Sequence, residues 1–318
     1  MLAMDSHTQK FVEKMQACRL CPRNCGINRL QGEHGYCRCD HQQHIASITL
    51  HTGEEPVLSG PNGMCNVFFS HCNLQCIYCQ NHQISCNDVV LTREQWNLKG
   101  ATRQISRMLA RGIRHVGFVS PSHLVAQMVA IVEALWQEGW KPVIVYNSNG
   151  YDKVETLRQL EGLVDVYLPD CKYMDAGLAK ELSDAADYPQ VAAKALREMY
   201  RQMGSVLHLD ADGLALRGMI VRHLVLPGQV ANSLQVLRFL AAELSPKLTL
   251  SLMAQYRPIA AVAAHPHLRR RLNCEEYAAV MREMEKLGFN DGFVQELVSA
   301  DYYWPDFSKP DPFNDTEV

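Results

Sequence analysis

The chain has 318 residues, 47% hydrophobic and 20% charged, with 31 lysines and arginines against 34 acidic residues, a net charge of −3 and an isoelectric point of about 6.5. That length suits one large domain with a small one beside it, and the charge excludes the global basic footprint of a nucleic-acid partner. No run of apolar residues is long enough to cross a bilayer, and the opening MLAMDSHTQK lacks a signal-peptide core, so a soluble, cytoplasmic protein with no membrane contact is expected.

Residues 1–60 read as a cysteine-rich, metal-binding N-terminal extension. Cys18, Cys21, Cys25 and Cys37 have the spacing C-x2-C-x3-C-x11-C, with Cys39 in reserve. In a long intracellular chain, short Cys spacings point to metal rather than disulfides. Four thiolates would close a zinc site or hold a second iron–sulfur cluster, and spacing does not decide between them; packed or redox-labile thiols are the remaining alternative. "HIASITL" (44–50) is β-like, and "GEEPVLSGPNG" (53–63) is a Gly/Pro loop.

From 61 to 318 apolar, strand-like runs alternate with helical periods. The runs are 65–70, 115–120, 142–147, 164–169, 219–227 and 248–253; the helical stretches are 93–111, 122–139, 152–161, 188–203, 230–244 and 274–287. Alternation of this kind predicts parallel βαβ units, an α/β fold whose six strands form an open sheet or a partial (β/α)6 TIM-type barrel. The loops after the strands would then converge on one face, where such folds place their sites.

The first of these loops, "HCNLQCIYCQN" (71–81), carries Cys72, Cys76 and Cys79 as C-x3-C-x2-C. Structural zinc takes four ligands; three thiolates suit a [4Fe–4S] cluster that keeps one iron open. A zinc site borrowing His71 or His82 is the alternative.

This motif, with Tyr78 before the third cysteine, resembles that of radical S-adenosylmethionine (SAM) enzymes. "CRLCPRNCGINR", "HTGEEPVLSGPNG", "FVSPSHLVAQ", "VYNSNGYD", "VDVYLPDCKY", "RGMIVRHLVLPG" and "SLMAQYRP" resemble, more narrowly, the pyruvate formate-lyase activating enzyme group. The resemblance implies the radical SAM core barrel, a [4Fe–4S] cluster on Cys72, Cys76 and Cys79, SAM on the open iron, and one-electron cleavage of SAM to methionine and a 5′-deoxyadenosyl radical. It also implies an electron donor of flavodoxin or ferredoxin type and a partner glycyl-radical enzyme whose glycine loses a hydrogen atom. Tyr78 matches the residue flanking the adenine.

Where activating enzymes have a Gly-Gly-Glu-Pro turn for the SAM amino group, this chain has Ser120-Pro121-Ser122-His123, so Ser120, Ser122 and His123 become candidate SAM contacts. Asn147 and Asn149 lie in a loop that resembles one near SAM, and are alternatively turn formers. Asp170 and Lys172, two apart, would face one side and suit a zwitterion, or be a surface pair. Of the adjacent Arg222 and His223, which face opposite ways on a strand, Arg222 is the candidate carboxylate clamp. Tyr256 falls where the family has a ligand-contacting His. A radical SAM enzyme acting on a small molecule or another macromolecule is the rival function, and a non-catalytic zinc or Fe–S protein the distant one.

Overall fold

The computed structural model describes residues 6–89, 96–302 and 304–313. In chain order it contains α1 (Ser6–Lys14), β1 (Ile45–His51), α2 (Pro56–Ser59), β2 (Met64–Phe69), α3 (His82–Ser85), α4 (Leu98–Leu109), β3 (His115–Val119), α5 (Val125–Gln137), β4 (Val143–Ser148), α6 (Val154–Gln159), β5 (Val166–Pro169), α7 (Ala176–Ser183), α8 (Tyr188–Met203), β6 (His208–Leu209), β7 (Ala215–Leu224), α9 (Val230–Glu243), β8 (Thr249–Met253), α10 (Cys274–Lys286) and β9 (Gly292–Val294). The six expected strands form one run of parallel neighbours, β2-β3-β4-β5-β7-β8, extended by β9, with β1 antiparallel on β2 and β6 antiparallel on β7. The partial (β/α)6 barrel is present. Residues 93–95 of the first expected helix lie outside the described residues.

Side-chain alternation sorts each strand into two faces. Cys65, Val67, Phe69, Val116, Phe118, Tyr146, Tyr167, Val221 and Leu252 face the helices and join one large core with α1, α4, α5 and α8–α10. Met64, Val145, Val166, Leu168 and Ile220 face the barrel interior and pack on Leu58 of α2. The β1–β2 connection therefore plugs the barrel floor, each buried side chain contributing roughly 1.5–3 kcal/mol. Gly117 must be glycine on that inner face, because a Cβ there would overlap Asn66 Oδ1 and Met64.

Helix α5 buries Val125, Met128, Val129, Ile131, Val132 and Leu135 because it lies between the sheet and α1. Phe11 and Met15, at the end of α1 and just beyond it, are the side chains that cover it. No helix among the described residues is long and apolar enough to cross a membrane.

Candidate active site

The loop after β2 sits at the C-terminal mouth of the barrel. Ile77 N–H donates to Leu182 O (2.9 Å) at the end of α7, and Cys72 N–H donates to Asn87 Oδ1 (3.0 Å), which fixes the loop at both ends. Each of its three thiols meets a different side-chain donor. Asn149 Nδ2 donates to Cys72 Sγ (3.3 Å), Ser183 Oγ to Cys76 Sγ (3.0 Å) and Ser85 Oγ to Cys79 Sγ (3.2 Å). Donors aimed at sulfur favour thiolate. Burial works the other way, pushing Cys72 up to about 12 and Cys76 up to about 11; the Lys172 ammonium opposes it at Cys76 and Cys79.

Thiolates around one tetrahedral zinc stand roughly 3.8 Å apart. Among the described residues, the set of three metal-binding atoms within 4.8 Å of one another is Cys39, His44 and His71; the sulfurs of Cys72, Cys76 and Cys79 are not all within that distance of one another. Three sulfurs on one loop with a donor for each fit a cluster.

The three cysteines line a cavity of about 660 Å³, shared with Tyr78, Ser120, Asn147, Asn149, Asp170, Lys172, Arg222 and Tyr256. Lys172 Nζ pairs with Asp170 Oδ2 at 2.5 Å, both largely buried. The hydroxyl of Tyr78 meets that of Tyr173 (2.5 Å), which in turn meets Ser183 Oγ (2.7 Å), so the Tyr78 ring is pinned with one edge satisfied. The turn at 147–150 is tied to the cysteine loop: Asn149 Nδ2 also donates to Asn73 Oδ1 (2.8 Å), and Asn73 Nδ2 to Tyr151 O (2.8 Å). Gly150, at φ +76°, passes so close to Asp170 O that a Cβ would collide with it.

Two expected contacts lie elsewhere. Ser120 adopts φ +55° and turns the chain out of the cavity into a single 3-10 turn. Ser122 and His123 are thereby buried behind it, 2% and 1% exposed, and do not line it. His123 Nε2 lies 2.9 Å from Ser70 O, and burial lowers its pKa to about 3.

Arg222 points into the barrel and His223 outward, to Cys171 O (2.7 Å) and Ser233 Oγ (2.9 Å). The Arg222 fork does clamp carboxylates, but they are the chain's own: Nε meets Glu55 Oε1 at 2.8 Å and Nη2 meets Glu55 Oε2 at 2.5 Å, with Glu54 on Nη2 as well. Burial opposes the Glu54 charge, yet the Arg222 and His51 charges and the hydrogen bonds from Arg222 and Asn66 hold its pKa down to about 2, against an ordinary 4.5. A depressed native pKa means the unfolded chain binds more protons in that interval, so stability rises with pH there. The Glu54 contribution is full above pH 4.5 and is lost as the pH falls through 2. Chemical denaturation between these pH values would show a shallower pH slope for Glu54→Gln than for the wild type.

Cys18, Cys21, Cys25, Cys37 and Cys39 surround a small hollow lined almost wholly by apolar atoms, with Arg29 and His123 on its wall. Arg29 is fully buried; it donates to His123 O (2.7 Å) and, through Nη2, to Asp40 O (2.7 Å). The Cys37 thiol is lowered to about 6 by its hydrogen bond with Cys39, despite burial, with help from the Arg29 charge. Cys171 is buried, whereas Cys274 is exposed.

Sequence reasoning passed over Asn73, Ser85, Ser183, Tyr173, Glu54 and Glu55, and also Arg23. Arg23 Nε donates to Asn73 O (2.8 Å) and its guanidinium stacks on Tyr36 (3.7 Å), joining the N-terminal segment to the cysteine loop. None of these carries a spacing signal.

The architecture and the site can now be set beside known proteins. Streptococcus suis SuiB bound to precursor peptide SuiA superposes with a TM-score of 0.50 at 12% identity, over 73% of this chain and 48% of SuiB. Methylornithine synthase (PylB) superposes with a TM-score of 0.50 at 13% identity, over 86% of this chain and 78% of that one. These likenesses are of fold, and the chain spans about half the length of SuiB. In sequence, the chain is 29% identical over 276 residues to the uncharacterized protein MJ0674 of Methanocaldococcus jannaschii, covering 85% of this chain and 74% of that one. No family model matches.

Proposed function

We propose that the chain is a radical SAM enzyme, on the strength of one observation: three cysteines at the mouth of a parallel barrel, each with its own hydrogen-bond donor, facing a cavity that also holds an acid–amine pair. Cys72, Cys76 and Cys79 would hold a [4Fe–4S] cluster. When bound, that cluster with SAM supplies one-electron cleavage of the S–C5′ bond and a 5′-deoxyadenosyl radical that takes a hydrogen atom from substrate.

The residues of this chain bind, orient and shield. Asp170 and Lys172 already neutralise one another, and an amino acid's ammonium and carboxylate can insert between them, exchanging one ion pair for two. Lys172 keeps positive charge beside the thiolates of Cys76 and Cys79. The Tyr78 ring, its hydroxyl spoken for, offers a face for a planar base. Tyr256 and Leu74 exclude water from the cavity, as do Trp304 and Phe313. Ser120, Asn147 and Asn149 present oxygens and amides at the strand ends.

Within this class, the activating-enzyme reading has the hydrogen leave a glycine on a partner glycyl-radical enzyme, with a flavodoxin or ferredoxin as reductant. The rival is a small molecule or a different macromolecule. The fold itself accommodates both kinds: SuiB holds a precursor peptide, and PylB is a methylornithine synthase. Cys18, Cys21, Cys25 and Cys37 are proposed to hold a second metal or cluster.

Anaerobic reconstitution with iron and sulfide, reduction, and assay of 5′-deoxyadenosine from SAM tests the class. Protein that carries a full cluster yet neither binds nor cleaves SAM would overturn it. A stable glycyl radical seen by electron paramagnetic resonance on a partner would establish the activase role. Ser183→Ala should leave iron content intact and move the cluster midpoint to a more negative potential, because a hydrogen bond to sulfur stabilises the more negative, reduced state. A redox titration that returns the wild-type midpoint would exclude that role for Ser183.

A further inference from the structure

Outside the barrel mouth, one set of side chains is arranged for a ligand that the proposed reaction does not use. Cys39 Sγ and one ring nitrogen each of His44 and His71 lie within 4.8 Å of one another. Cys39 is fully buried and the two histidines partly so. From these contacts we infer that Cys39, His44 and His71 form a binding site for a single divalent cation of the zinc class, with ligands other than Cys72, Cys76 and Cys79 and other than Cys18, Cys21, Cys25 and Cys37, although His71 opens the cysteine loop and Cys39 borders the N-terminal hollow.

Two features of the surroundings favour a cation over three packed side chains. Nδ1 of His71 is buried and has no hydrogen-bond partner, which a protein seldom tolerates without a ligand. His44 Nε2 lies 2.7 Å from the Asp40 Oδ1 carboxylate oxygen and 3.2 Å from the Asp40 N–H; in the tautomer whose Nε2–H donates to the carboxylate, Nδ1 keeps its lone pair for a cation. A carboxylate behind a histidine in this way fixes the tautomer and raises the basicity of the free nitrogen, as around metal sites generally.

One thiolate and two imidazoles suit zinc, with the fourth position left to solvent or to a neighbouring thiolate. On binding, Cys39 S–H, now donating to Cys37 O at 3.2 Å, loses its proton to solvent and sulfur takes the metal bond. The cation would join residues 39–44 to the base of the cysteine loop, where Ser70 N–H already donates to His44 O (2.8 Å) and His71 N–H to Ile84 O (2.7 Å).

The test uses the full chain with its iron loaded, equilibrated with zinc sulfate and then freed of unbound metal, with zinc and iron counted in the same sample. His44→Ala and Cys39→Ser should each hold one zinc fewer per chain than wild type, with iron unchanged, while His41→Ala matches wild type. X-ray absorption at the zinc edge of wild type should include nitrogen from two imidazoles. Wild-type zinc content in His44→Ala overturns the site, as does equal loss in His41→Ala or an all-sulfur zinc shell. Should Cys39→Ser fail to fold, His44→Ala decides alone, because its ring is partly exposed.

Discussion

Cys76→Ala is expected to reduce 5′-deoxyadenosine release to background and to lower iron uptake, while the secondary structure stays intact. Cys76 lies on the cavity wall, half out of the core, and its sulfur accepts from Ser183 Oγ without packing a helix or strand. On the proposed reading its loss removes a ligand rather than a piece of scaffold. The side chains that touch the three sulfurs do not replace a thiolate: Ser85 and Ser183 are hydroxyls and Asn149 is an amide. Asn149→Ala is the graded companion. It removes one hydrogen bond to Cys72 and one to Asn73, so iron should be retained and turnover diminished, not lost. Undiminished deoxyadenosine from Cys76→Ala would sink the assignment of the cluster, and a wild-type chain that holds zinc alone on Cys72, Cys76 and Cys79 would do the same.

The second large effect is on stability. Arg222→Met leaves Glu54 and Glu55, 7% and 5% exposed in their side chains, facing the barrel interior without their cation. Removing one partner of a buried ion pair costs roughly 3–5 kcal/mol, since the stranded charge keeps its desolvation penalty. For a chain of this size the melting temperature should fall on the order of 10 °C. Adding Glu54→Gln and Glu55→Gln to the same chain should restore much of the loss, because neutral amides cost far less to bury. Were Arg222 instead a clamp for substrate, the single variant would melt like wild type and lose ligand affinity; thermal denaturation and SAM titration together separate the two.

How much of this was legible in the sequence depends on what each feature rests on. The six strands are continuous apolar runs because both faces of the sheet are covered, and a run needs no partner to be seen. Strand β7 begins earlier than its run, at Ala215, since Leu216 and Arg217 are exposed where β6 pairs with it. Helix α1 has only Phe11 and Val12 as apolar residues and exists by docking on α5, while three-residue β9 is too short to carry a pattern. The cysteines announced themselves by spacing. Their donors did not: Asn149, Ser183 and Ser85 are common residues from three separate segments. Arg222 was visible as a strand cation, but its partners stand 167 and 168 residues away, and no local rule reaches that far. Ser122 and His123 were misplaced because a left-handed Ser120 reverses the chain, and serine gives no warning of that conformation.

The committed amide of Asn149 has a thermodynamic consequence. Its two donor contacts go to Cys72 Sγ and Asn73 Oδ1, and its carbonyl takes the N–H of Tyr151 (2.9 Å), so the turn cannot move without disturbing the sulfur. Negative charge added at Cys72 strengthens the first of these bonds; a ligand gripping the 147–150 turn pulls on the same side chain. Electron and ligand are then linked in the Wyman sense, each changing the other's affinity by one common factor. A ligand that binds the reduced protein tenfold more tightly must raise the one-electron midpoint by about 59 mV. Were Cys72, Cys76 and Cys79 to hold the proposed cluster, Asn149 would tie its reduction to the filling of the cavity, and a ligand preferring the reduced protein would leave an empty site harder to charge than a full one.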